Sequence, residues 1–353
     1  MSRFLSRRHS GLVAYVPGEQ PDSVEEYIKL NTNESPYPPS PGVIAALNER
    51  EAGKLNLYPN PDGKRLKMKL AAHYGVLPEN VIIGNGSDEL LAFAFLAFCD
   101  GDRGVAFPDI TYGFYPVYAE LFGTPCEQIP LNKDLTIDLA CYLGIRKNII
   151  IANPNAPTGI ALGLSDIEAV VESNPDFIVL IDEAYVDFGA ESAIPLTKVY
   201  DNLLVMHTYS KSRSMAGARL AYAIGQEAVI DDLVKMKYSF NPYNVNRLTL
   251  LAGEAALDSE EYYIDRRREI IDTRAYTEAE LKRLGFVMTE SKANFIFAMH
   301  PKKRGNELYL ELKERGVLVR HFDKHRISEY LRITIGSRAQ MDALINAARG
   351  ILN

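Results

Sequence analysis

Residues 177–185 read FIVLIDEAY, an apolar run that ends at a carboxylate. Every position of FIVLI (177–181) is apolar, which is typical of a strand buried on both faces of a parallel sheet. Comparable runs occur elsewhere at VII (81–83), GVAF (104–107), NIIIAN (148–153), LLVMHTYS (203–210) and LAYAIG (220–225). Because helix-like segments separate these runs, we predict an α/β fold: a mostly parallel central sheet with helices on both faces.

The pattern changes on both sides of this region. The first 40 residues are rich in proline and glycine, which favours an extended arm. After residue 246 a long charged helical segment precedes NFIFAM, NELYLELKERG, VLVRH, LRITIG and a last helix, which predicts a smaller α+β domain formed with the chain ends. The predicted units are an arm that contributes to the smaller domain (1–40), a large ligand-binding domain (41–245) and the small domain (246–353).

Composition excludes several classes of protein. The chain has 353 residues, 47% of them hydrophobic and 24% charged, and its net charge of -7 argues against a nucleic-acid-binding surface. Cys99, Cys126 and Cys141 lie far apart, so neither a zinc site nor a disulfide framework is expected. The longest apolar run, residues 90–99, is about half a membrane span, and the N-terminal apolar run is too short for a secretory signal. We expect a cytoplasmic protein without a metal or a membrane anchor.

Polar turns follow the predicted strands, at the edge where α/β proteins bind ligands. In GNGSDE (84–89), glycines precede a helix start, so Gly86, Ser87 and Asp88 are candidates to bind an anion. An ordinary strand-to-helix turn is the alternative. Glu89 stands where a dinucleotide fingerprint needs a third glycine, which favours a monophosphate.

Two further turns offer a ring and an amide. Tyr112, in TYG (111–113), is either a packing residue or a stacking face for a planar ligand. Asn155, in NPNAPTG (153–159), is a candidate hydrogen-bond donor, although such residues are common in turns.

Charged side chains follow two strands. Asp182 follows FIVLI, and a carboxylate at the end of an apolar strand needs a cationic or hydrogen-bonding partner. Its role could be that of a catalytic acid, a metal ligand or a cofactor anchor. No second carboxylate or histidine stands at a spacing that supports a metal site. Lys211 follows LLVMHTYS and should lie at the same edge, where it can act as an amine nucleophile. Ser210 and Arg219 are candidates for a phosphate, whereas Arg213 is expected to be an ordinary surface cation.

Together these groups match the needs of pyridoxal phosphate: an amine, a carboxylate for the ring nitrogen, a stacking face and phosphate ligands. The order GNGSDE, TYG, NPNAPTG, DEAY, SK…GAR resembles the fold-type-I pyridoxal-phosphate-dependent aminotransferases. The outer segments are similar to the branch of that family that acts on histidinol phosphate: YVPGEQP (15–21), LNTNESPYPPSP (30–41), LNLYPNPDG (55–63), NPYNVN (241–246) and YLRITIG (330–336).

The resemblance implies how the cofactor is held. Lys211 is expected to bond its aldehyde and to move a proton, Asp182 to pair with the ring nitrogen, and Tyr185 to donate to the phenolic oxygen. Tyr112 is expected to stack on the ring. Tyr58 is expected to reach the cofactor of the other subunit in a homodimer with shared active sites. The expected phosphate ligands are Gly86, Ser87, Asp88, Thr208, Ser210 and Arg219.

The resemblance also implies the reaction. Arg332, assisted by Asn33, is expected to bind the α-carboxylate of glutamate, and Arg320 and Tyr15 the phosphate of the second substrate. That substrate is a phosphorylated imidazole amino alcohol. The implied reaction is ping-pong transamination between histidinol phosphate and 2-oxoglutarate in histidine biosynthesis, running physiologically from glutamate and imidazole-acetol phosphate.

Two positions depart from the family pattern, and rivals stay open. Ala156 stands where family members commonly have asparagine, so we expect Asn155 or Tyr185 to take over the contact with the phenolic oxygen. His207 stands where arginine is frequent, and we expect it to be a packing residue. Alternative functions on the same scaffold are a threonine-phosphate decarboxylase and an aromatic-amino-acid aminotransferase. A nucleotide-binding or regulatory protein that lost catalysis is the alternative from another class.

Overall fold

The computed structural model describes residues 3–21 and 27–352. Its strands are β1 (Ile28–Lys29), β2 (Val81–Gly84), β3 (Val105–Pro108), β4 (Cys126–Ile129), β5 (Asn148–Ala152), β6 (Val179–Asp182), β7 (Leu203–Thr208), β8 (Ala221–Ile224), β9 (Val287–Met288), β10 (Phe295–Met299), β11 (Val317–Leu318), β12 (Arg320–His321) and β13 (Tyr330–Thr334).

The α-helices alternate with the strands of the large sheet, and three consecutive helices then precede the strands of the smaller unit. They are α1 (Pro41–Ala46), α2 (Glu49–Ala52), α3 (Lys64–Tyr74), α4 (Ser87–Phe98), α5 (Phe114–Phe122), α6 (Leu164–Ser173), α7 (Glu227–Phe240), α8 (Arg247–Leu257), α9 (Glu260–Arg283), α10 (Gly305–Glu314) and α11 (Arg338–Leu352). No helix in the described ranges is both long enough and apolar enough to cross a lipid bilayer.

The large sheet has the strand order β2-β8-β7-β6-β5-β3-β4. Neighbours from β7 to β4 pair in parallel, whereas β8 is antiparallel to both β7 and β2. The predicted α/β fold with a mostly parallel sheet is therefore confirmed. β4 was not predicted, because Cys126, Glu127 and Gln128 are exposed at the sheet edge and form no apolar run.

Helices cover both faces of this sheet, as predicted. Side chains alternate along each strand, so neighbouring residues enter different cores. Leu180 and Met206 pack in the core beneath α4, α5 and α7, whereas Ile181 and Val205 pack in the core beneath α3, α6 and α8. The polar residues that follow β5, β6 and β7 are therefore carried by strands held from both sides.

The smaller unit combines the two ends of the described chain. An antiparallel sheet of order β12-β13-β10-β9 packs with α10 and α11, and β1 pairs in parallel with β11. The arm runs along both units: the His9 ring lies 3.3 Å from the Leu121 carbonyl oxygen on α5, and Glu19 pairs with Lys313 on α10 at 2.7 Å. The chain ends thus meet in one small α+β unit.

The predicted boundary between residues 245 and 246 stays a prediction, and the packing favours a later one. Leu250 and Ala252 of α8 and Tyr263 of α9 belong to the core of the large sheet. Ile270 and Leu281, further along α9, belong to the core of the small unit. We therefore propose that the boundary lies within α9, which connects the two units as one continuous helix.

Candidate active site

A cavity of about 350 Å³ lies at the carboxyl ends of β5, β6 and β7. Parallel strands bring the residues that follow them to one sheet edge, so residues distant in sequence meet there. Its lining includes Thr32, Glu34, Ser87, Asp88, Tyr112, Ala152, Ala156, Asp182, Ala184, Tyr185, Thr208, Ser210, Lys211, Ala216, Gly217 and Arg219. Most of the predicted cofactor residues are therefore brought together.

Lys211 lies in the loop that follows β7. Its Nζ donates a hydrogen bond to the carbonyl oxygen of Thr32 at 3.2 Å and lies 5.7 Å from the ring centroid of Tyr185. Two backbone bonds fold the loop on itself, from Ser214 N to the Lys211 oxygen (3.2 Å) and from Met215 N to the Tyr209 oxygen (3.1 Å). The amine therefore projects into the cavity from a fixed turn. Thr32 was not predicted as its partner.

Asp182 is the last residue of β6 and is 5% exposed. Its Oδ2 accepts a hydrogen bond from the Tyr115 hydroxyl at 2.9 Å, and its Oδ1 accepts one from Ala184 N at 3.2 Å. Burial raises the pKa of this carboxyl to about 6 despite these bonds, because no arginine or lysine of the described ranges pairs with it. The site therefore holds a buried carboxylate that a cationic ligand group would stabilise.

The predicted anion-binding end of the cavity is built from the turn before α4. Gly86 has φ +84°, which favours glycine, and a Cβ there would lie 2.6 Å from a guanidinium nitrogen of Arg219 and would displace it. Arg219 pairs with Asp88 Oδ2 at 3.1 Å, and the Tyr112 hydroxyl donates to Asp88 Oδ1 at 2.8 Å. Ser87, Thr208 and Ser210 line the same end. A guanidinium, hydroxyls and a helix N-terminus thus converge there.

Glu89 closes this turn instead of the third glycine of a dinucleotide site. Its Oε2 accepts hydrogen bonds from Asn85 N at 2.7 Å and from the Asn244 side chain at 2.5 Å. The carboxylate therefore ties the turn before α4 to the NPYNVN segment beside it.

Tyr185 lines the cavity, and the buried Asn33 contacts it from behind. The Asn33 amide donates to the Tyr185 hydroxyl at 2.9 Å, and Asn33 N donates to Thr334 Oγ1 of β13 at 2.9 Å. Asn33 is 1% exposed and has φ +56°, a conformation that asparagine adopts more readily than most residues. The phenol that the resemblance assigns to the cofactor is therefore oriented by a residue from the arm.

A second cavity, of about 410 Å³, adjoins the first and shares Tyr112 and Ala156 with it. Three of the four residues predicted to bind substrate, Tyr15, Arg320 and Arg332, line it, whereas the fourth, Asn33, does not. One guanidinium nitrogen of Arg332 donates to the Asn31 carbonyl oxygen at 3.1 Å, whereas its buried Nε has no hydrogen-bond partner within the described residues. A buried N–H without a partner is costly, so this guanidinium is suited to an incoming anion.

The structure corrects the prediction for Asn155. Its side-chain amide donates to the Ile110 carbonyl oxygen and to Thr158 Oγ1, and its Oδ1 accepts from Thr111. Asn155 lines a separate cavity behind the turn, while Ala156 lines the cofactor cavity. Asn155 therefore holds the turn together instead of facing the cofactor.

Three other expectations concern residues outside the cavity. Tyr58 is 78% exposed and stacks on Tyr243 with centroids 4.6 Å apart, so it does not reach the cavity of its own subunit. His207 is buried and stacks on Tyr222 as a packing residue, and its Nε2 also lies 2.7 Å from Glu183 Oε2. Arg213, expected at the surface, is only 6% exposed, because Glu260 pairs with it at 2.5 Å.

The residues of the first cavity fit pyridoxal phosphate by their chemistry. Lys211 offers an amine, Asp182 a buried carboxylate without a cation, and Arg219 a guanidinium beside the helix N-terminus. The glycine at 86, where a side chain would collide with Arg219, leaves room for the backbone to approach a phosphate. These groups are the complementary partners of an aldehyde, a protonated ring nitrogen and a phosphate.

Comparison with known proteins agrees with this chemistry. The family model "Aminotransferase class I and II" matches residues 25–347. A relative named histidinol-phosphate aminotransferase, from Brachyspira hyodysenteriae, is 49% identical over 353 residues, which are 100% of this chain and 99% of the relative.

Solved structures share the fold. The histidinol-phosphate aminotransferase of Sinorhizobium meliloti, in complex with pyridoxal-5'-phosphate, superposes with a TM-score of 0.84 at 23% identity, covering 92% of this chain and 90% of that one. The L-threonine-O-3-phosphate decarboxylase of Porphyromonas gingivalis superposes with a TM-score of 0.76 at 22% identity, covering 92% and 99%. Fold alone therefore does not separate these two activities.

Proposed function

The chain belongs to the class I and II aminotransferase family, and from this premise we propose that it catalyses pyridoxal-phosphate-dependent transamination between histidinol phosphate and 2-oxoglutarate in histidine biosynthesis. The observation that carries the reaction type is that Lys211, Asp182 and Arg219 line one cavity. The substrate is supported by the full-length similarity to the Brachyspira enzyme. The adjoining cavity, with its two arginines, suits substrates that carry a carboxylate or a phosphate.

When bound, the cofactor supplies an electrophilic carbon and a ring that withdraws electrons from the substrate's α-carbon. In this proposal the amine of Lys211 would hold the cofactor and would accept and return a proton at the substrate's α-carbon. Its hydrogen bond to the Thr32 carbonyl oxygen orients the amine while it is free. The Asp182 carboxylate stabilises a proton on the ring nitrogen, and the Tyr115 hydroxyl keeps this carboxylate in place.

The remaining residues of the proposed cofactor site bind the cofactor and orient it. In the proposal Arg219, Thr208, Ser210 and the N–H groups at Ser87 and Asp88 hold the phosphate, with Gly86 giving the backbone its close approach. Tyr112 lies against the ring. Tyr185 donates to the phenolic oxygen, and Asn33 sets the direction of that hydroxyl. Since Asn155 is occupied elsewhere, Tyr185 carries this contact without help from an asparagine at position 156.

Substrate binding falls to the second cavity. We assign Arg332, with its free Nε, to the carboxylate of glutamate, and Arg320 and Tyr15 to the phosphate of histidinol phosphate. Arg320 also donates to the carbonyl oxygens of Val16 and Pro17 at 3.3 Å. The arm that carries Tyr15 is therefore fastened to the arginine with which it is proposed to act.

Half-reactions test the substrate assignment. The cofactor-loaded protein is mixed separately with histidinol phosphate, threonine phosphate, phenylalanine and glutamate, and the absorbance change of the cofactor is followed together with CO₂ release. We expect conversion by glutamate and histidinol phosphate to be at least about tenfold more efficient than by phenylalanine, because a polar site rejects substrates that leave its charges unpaired. Release of CO₂ from threonine phosphate would overturn the proposal in favour of the decarboxylase.

The substitution Arg332→Lys is expected to raise the KM for glutamate by about ten- to a hundredfold, since one ammonium cannot reproduce the two parallel hydrogen bonds of a guanidinium. Steady-state kinetics with glutamate as the varied substrate measure this. Arg338→Lys is the control, because Arg338 lies on α11 in an exposed pair with Asp342. An unchanged KM in Arg332→Lys removes this arginine from the carboxylate site.

We also propose a homodimer in which Tyr58 serves the partner's site. The proposal rests on the exposed apolar side chains of Leu55, Leu57 and Tyr58 on one short segment, which are typical of an interaction surface. Mixing inactive Lys211→Ala and Tyr58→Ala subunits is expected to restore activity toward about a quarter of the wild-type level, since half of the mixed dimers' sites are intact. No recovery in mixed dimers verified by mass would show that Tyr58 acts within its own subunit.

We propose a cytoplasmic location as well. It is supported by Cys99, Cys126 and Cys141, which are all free thiols in the structure. Fractionation of the producing cells, with recovery of the enzyme in the cytoplasmic fraction, checks this.

A further inference from the structure

Ser212 and Arg213, the two residues that follow Lys211, are joined by a series of polar and charged contacts. The backbone between these two residues closes the series into a ring. Ser212 Oγ donates to Asp187 Oδ2, and Asp187 pairs with Arg267 at 3.1 Å. Arg267 pairs with Glu260 at 2.7 Å, and Glu260 pairs with Arg213 at 2.5 Å. Two carboxylates and two guanidinium groups thus alternate, so the ring carries no net charge.

The two arginines of the ring are less exposed than its two carboxylates, Asp187 and Glu260. The side chain of Arg213 is 7% exposed and that of Arg267 is 16% exposed. The guanidinium of Arg213 also lies 5.3 Å from the ring centroid of Tyr263 and donates to the Ala256 carbonyl oxygen at 3.4 Å. A buried cation that lost Glu260 would be left without its counter-charge, so these groups hold one arrangement.

Three parts of the molecule are fastened together by this ring. Asp187 lies in the turn after β6, five residues beyond Asp182, while Glu260 and Arg267 lie two turns apart on α9. Ser212 and Arg213 belong to the lysine loop. On the other side of that loop, Ser214 Oγ donates to Ser35 Oγ at 2.8 Å. Each residue after Lys211 is therefore held by a different element.

We propose that this ring, which we call the lysine clamp (Asp187, Ser212, Arg213, Glu260 and Arg267), positions Lys211 for its reaction. The proposal rests on the proposed function, in which Lys211 is the reacting amine. None of the clamp's charged groups lines the cavity, so they act through the loop and are positioning residues. Because displacement of a reacting group by about 1 Å can cost about a hundredfold in rate, a loop fixed on both sides has a catalytic consequence.

Arg213→Met removes one link, and the position of the amine is read without the cofactor. In cofactor-free protein, the rate at which formaldehyde and cyanoborohydride methylate Lys211 is measured by peptide mass spectrometry. We expect this rate to rise at least about threefold when the loop loosens. The interaction energy between contacting groups such as Arg213 and Glu260 is large enough to change the population of open loops by that factor. Arg213→Lys, which keeps a cation opposite Glu260, is expected to restore most of the wild-type rate.

The matched control is Arg274→Met. Arg274 is a buried arginine, 8% exposed, on α9, the helix that also carries Glu260 and Arg267. Its Nη1 donates to the Phe188 and Ala293 carbonyl oxygens. Both methionine variants are expected to lower the melting temperature by several degrees. Only Arg213→Met is expected to change the methylation of Lys211. Equal methylation in the two variants would show that Arg213 only stabilises the fold and would overturn the proposal.

Kinetics of the loaded enzyme give a second reading. Arg213→Met and Glu260→Gln are each expected to lower kcat by about ten- to a hundredfold with KM changed less than about twofold, because the substrate cavity is untouched. The double variant is expected to resemble Glu260→Gln, because that change already breaks the link between Glu260 and Arg213. Simple addition of the two effects would contradict a shared link. Failure of wild-type transamination would sink the proposed function, whereas the methylation rates would still test the clamp.

Discussion

Lys211→Ala is expected to lower kcat for transamination by at least about a thousandfold, the range found when a positioned proton-transfer group and nucleophile are removed. In the proposed function this amine is the nucleophile of the cavity that Asp182 also lines, and alanine leaves neither a group to hold the cofactor nor one to move the α-proton. The visible absorption band of the loaded protein and single-turnover kinetics with glutamate measure both losses. Added methylamine should restore part of the rate, because it replaces the missing base.

The control for this variant is Lys147→Ala. Lys147 lies just before β5 and pairs with Glu127 on the edge strand β4, and its side chain is 39% exposed. Its removal is expected to leave both the band and kcat unchanged. A Lys211→Ala protein that still carries covalently attached cofactor after borohydride reduction and dialysis, as located by peptide mass spectrometry, would assign the cofactor to a different amine.

Asp182→Asn is expected to lower kcat by about a hundred- to a thousandfold, which corresponds to about 3–4 kcal/mol of lost stabilisation. Burial raises the pKa of Asp182 to about 6, so at neutral pH the carboxylate is charged and lacks a cation in the described structure. A protonated ring nitrogen supplies that cation, and asparagine cannot stabilise it. Single-turnover kinetics at pH 7 measure the effect, with cofactor saturation checked by absorbance.

Tyr115→Phe separates the charge of Asp182 from its hydrogen bonding. This change removes the hydroxyl that donates to Asp182 Oδ2 but leaves the carboxylate. The loss in kcat is expected to stay below about tenfold, in line with one hydrogen bond. If Asp182→Asn and Tyr115→Phe have equal effects, the charge of Asp182 is not what the reaction uses.

Sequence reasoning predicted the residues that follow strands directly. Asp182 and Lys211 end apolar runs, and parallel strands bring such ends to one edge, so their meeting follows from the strand pattern alone. The turn before α4 was predictable for the same reason, because glycines precede a helix start.

Orientation was not predictable at Asn155 and Ala156. The two are neighbours in one turn, and which of them faces the cofactor depends on Ile110 and Thr111, more than forty residues earlier. Arg213 was misjudged for a similar reason. Its counter-charge, Glu260, lies on another helix, and charge spacing along the chain contains no sign of it. Tyr115 and Thr32 were missed because their bonds to Asp182 and Lys211 also span long stretches of chain.

The pairing of the chain ends has a consequence for the order in which the enzyme matures during synthesis. The strands of the large sheet are complete once β8 has left the ribosome, and most of the proposed cofactor ligands precede it. Asn33, by contrast, is fixed by Thr334, 301 residues further along. Domains fold largely as units from the N-terminus onward. We therefore expect a nascent chain to bring most of its cofactor ligands together before its substrate site, and Asn33, made early, to be among the last residues to reach its place.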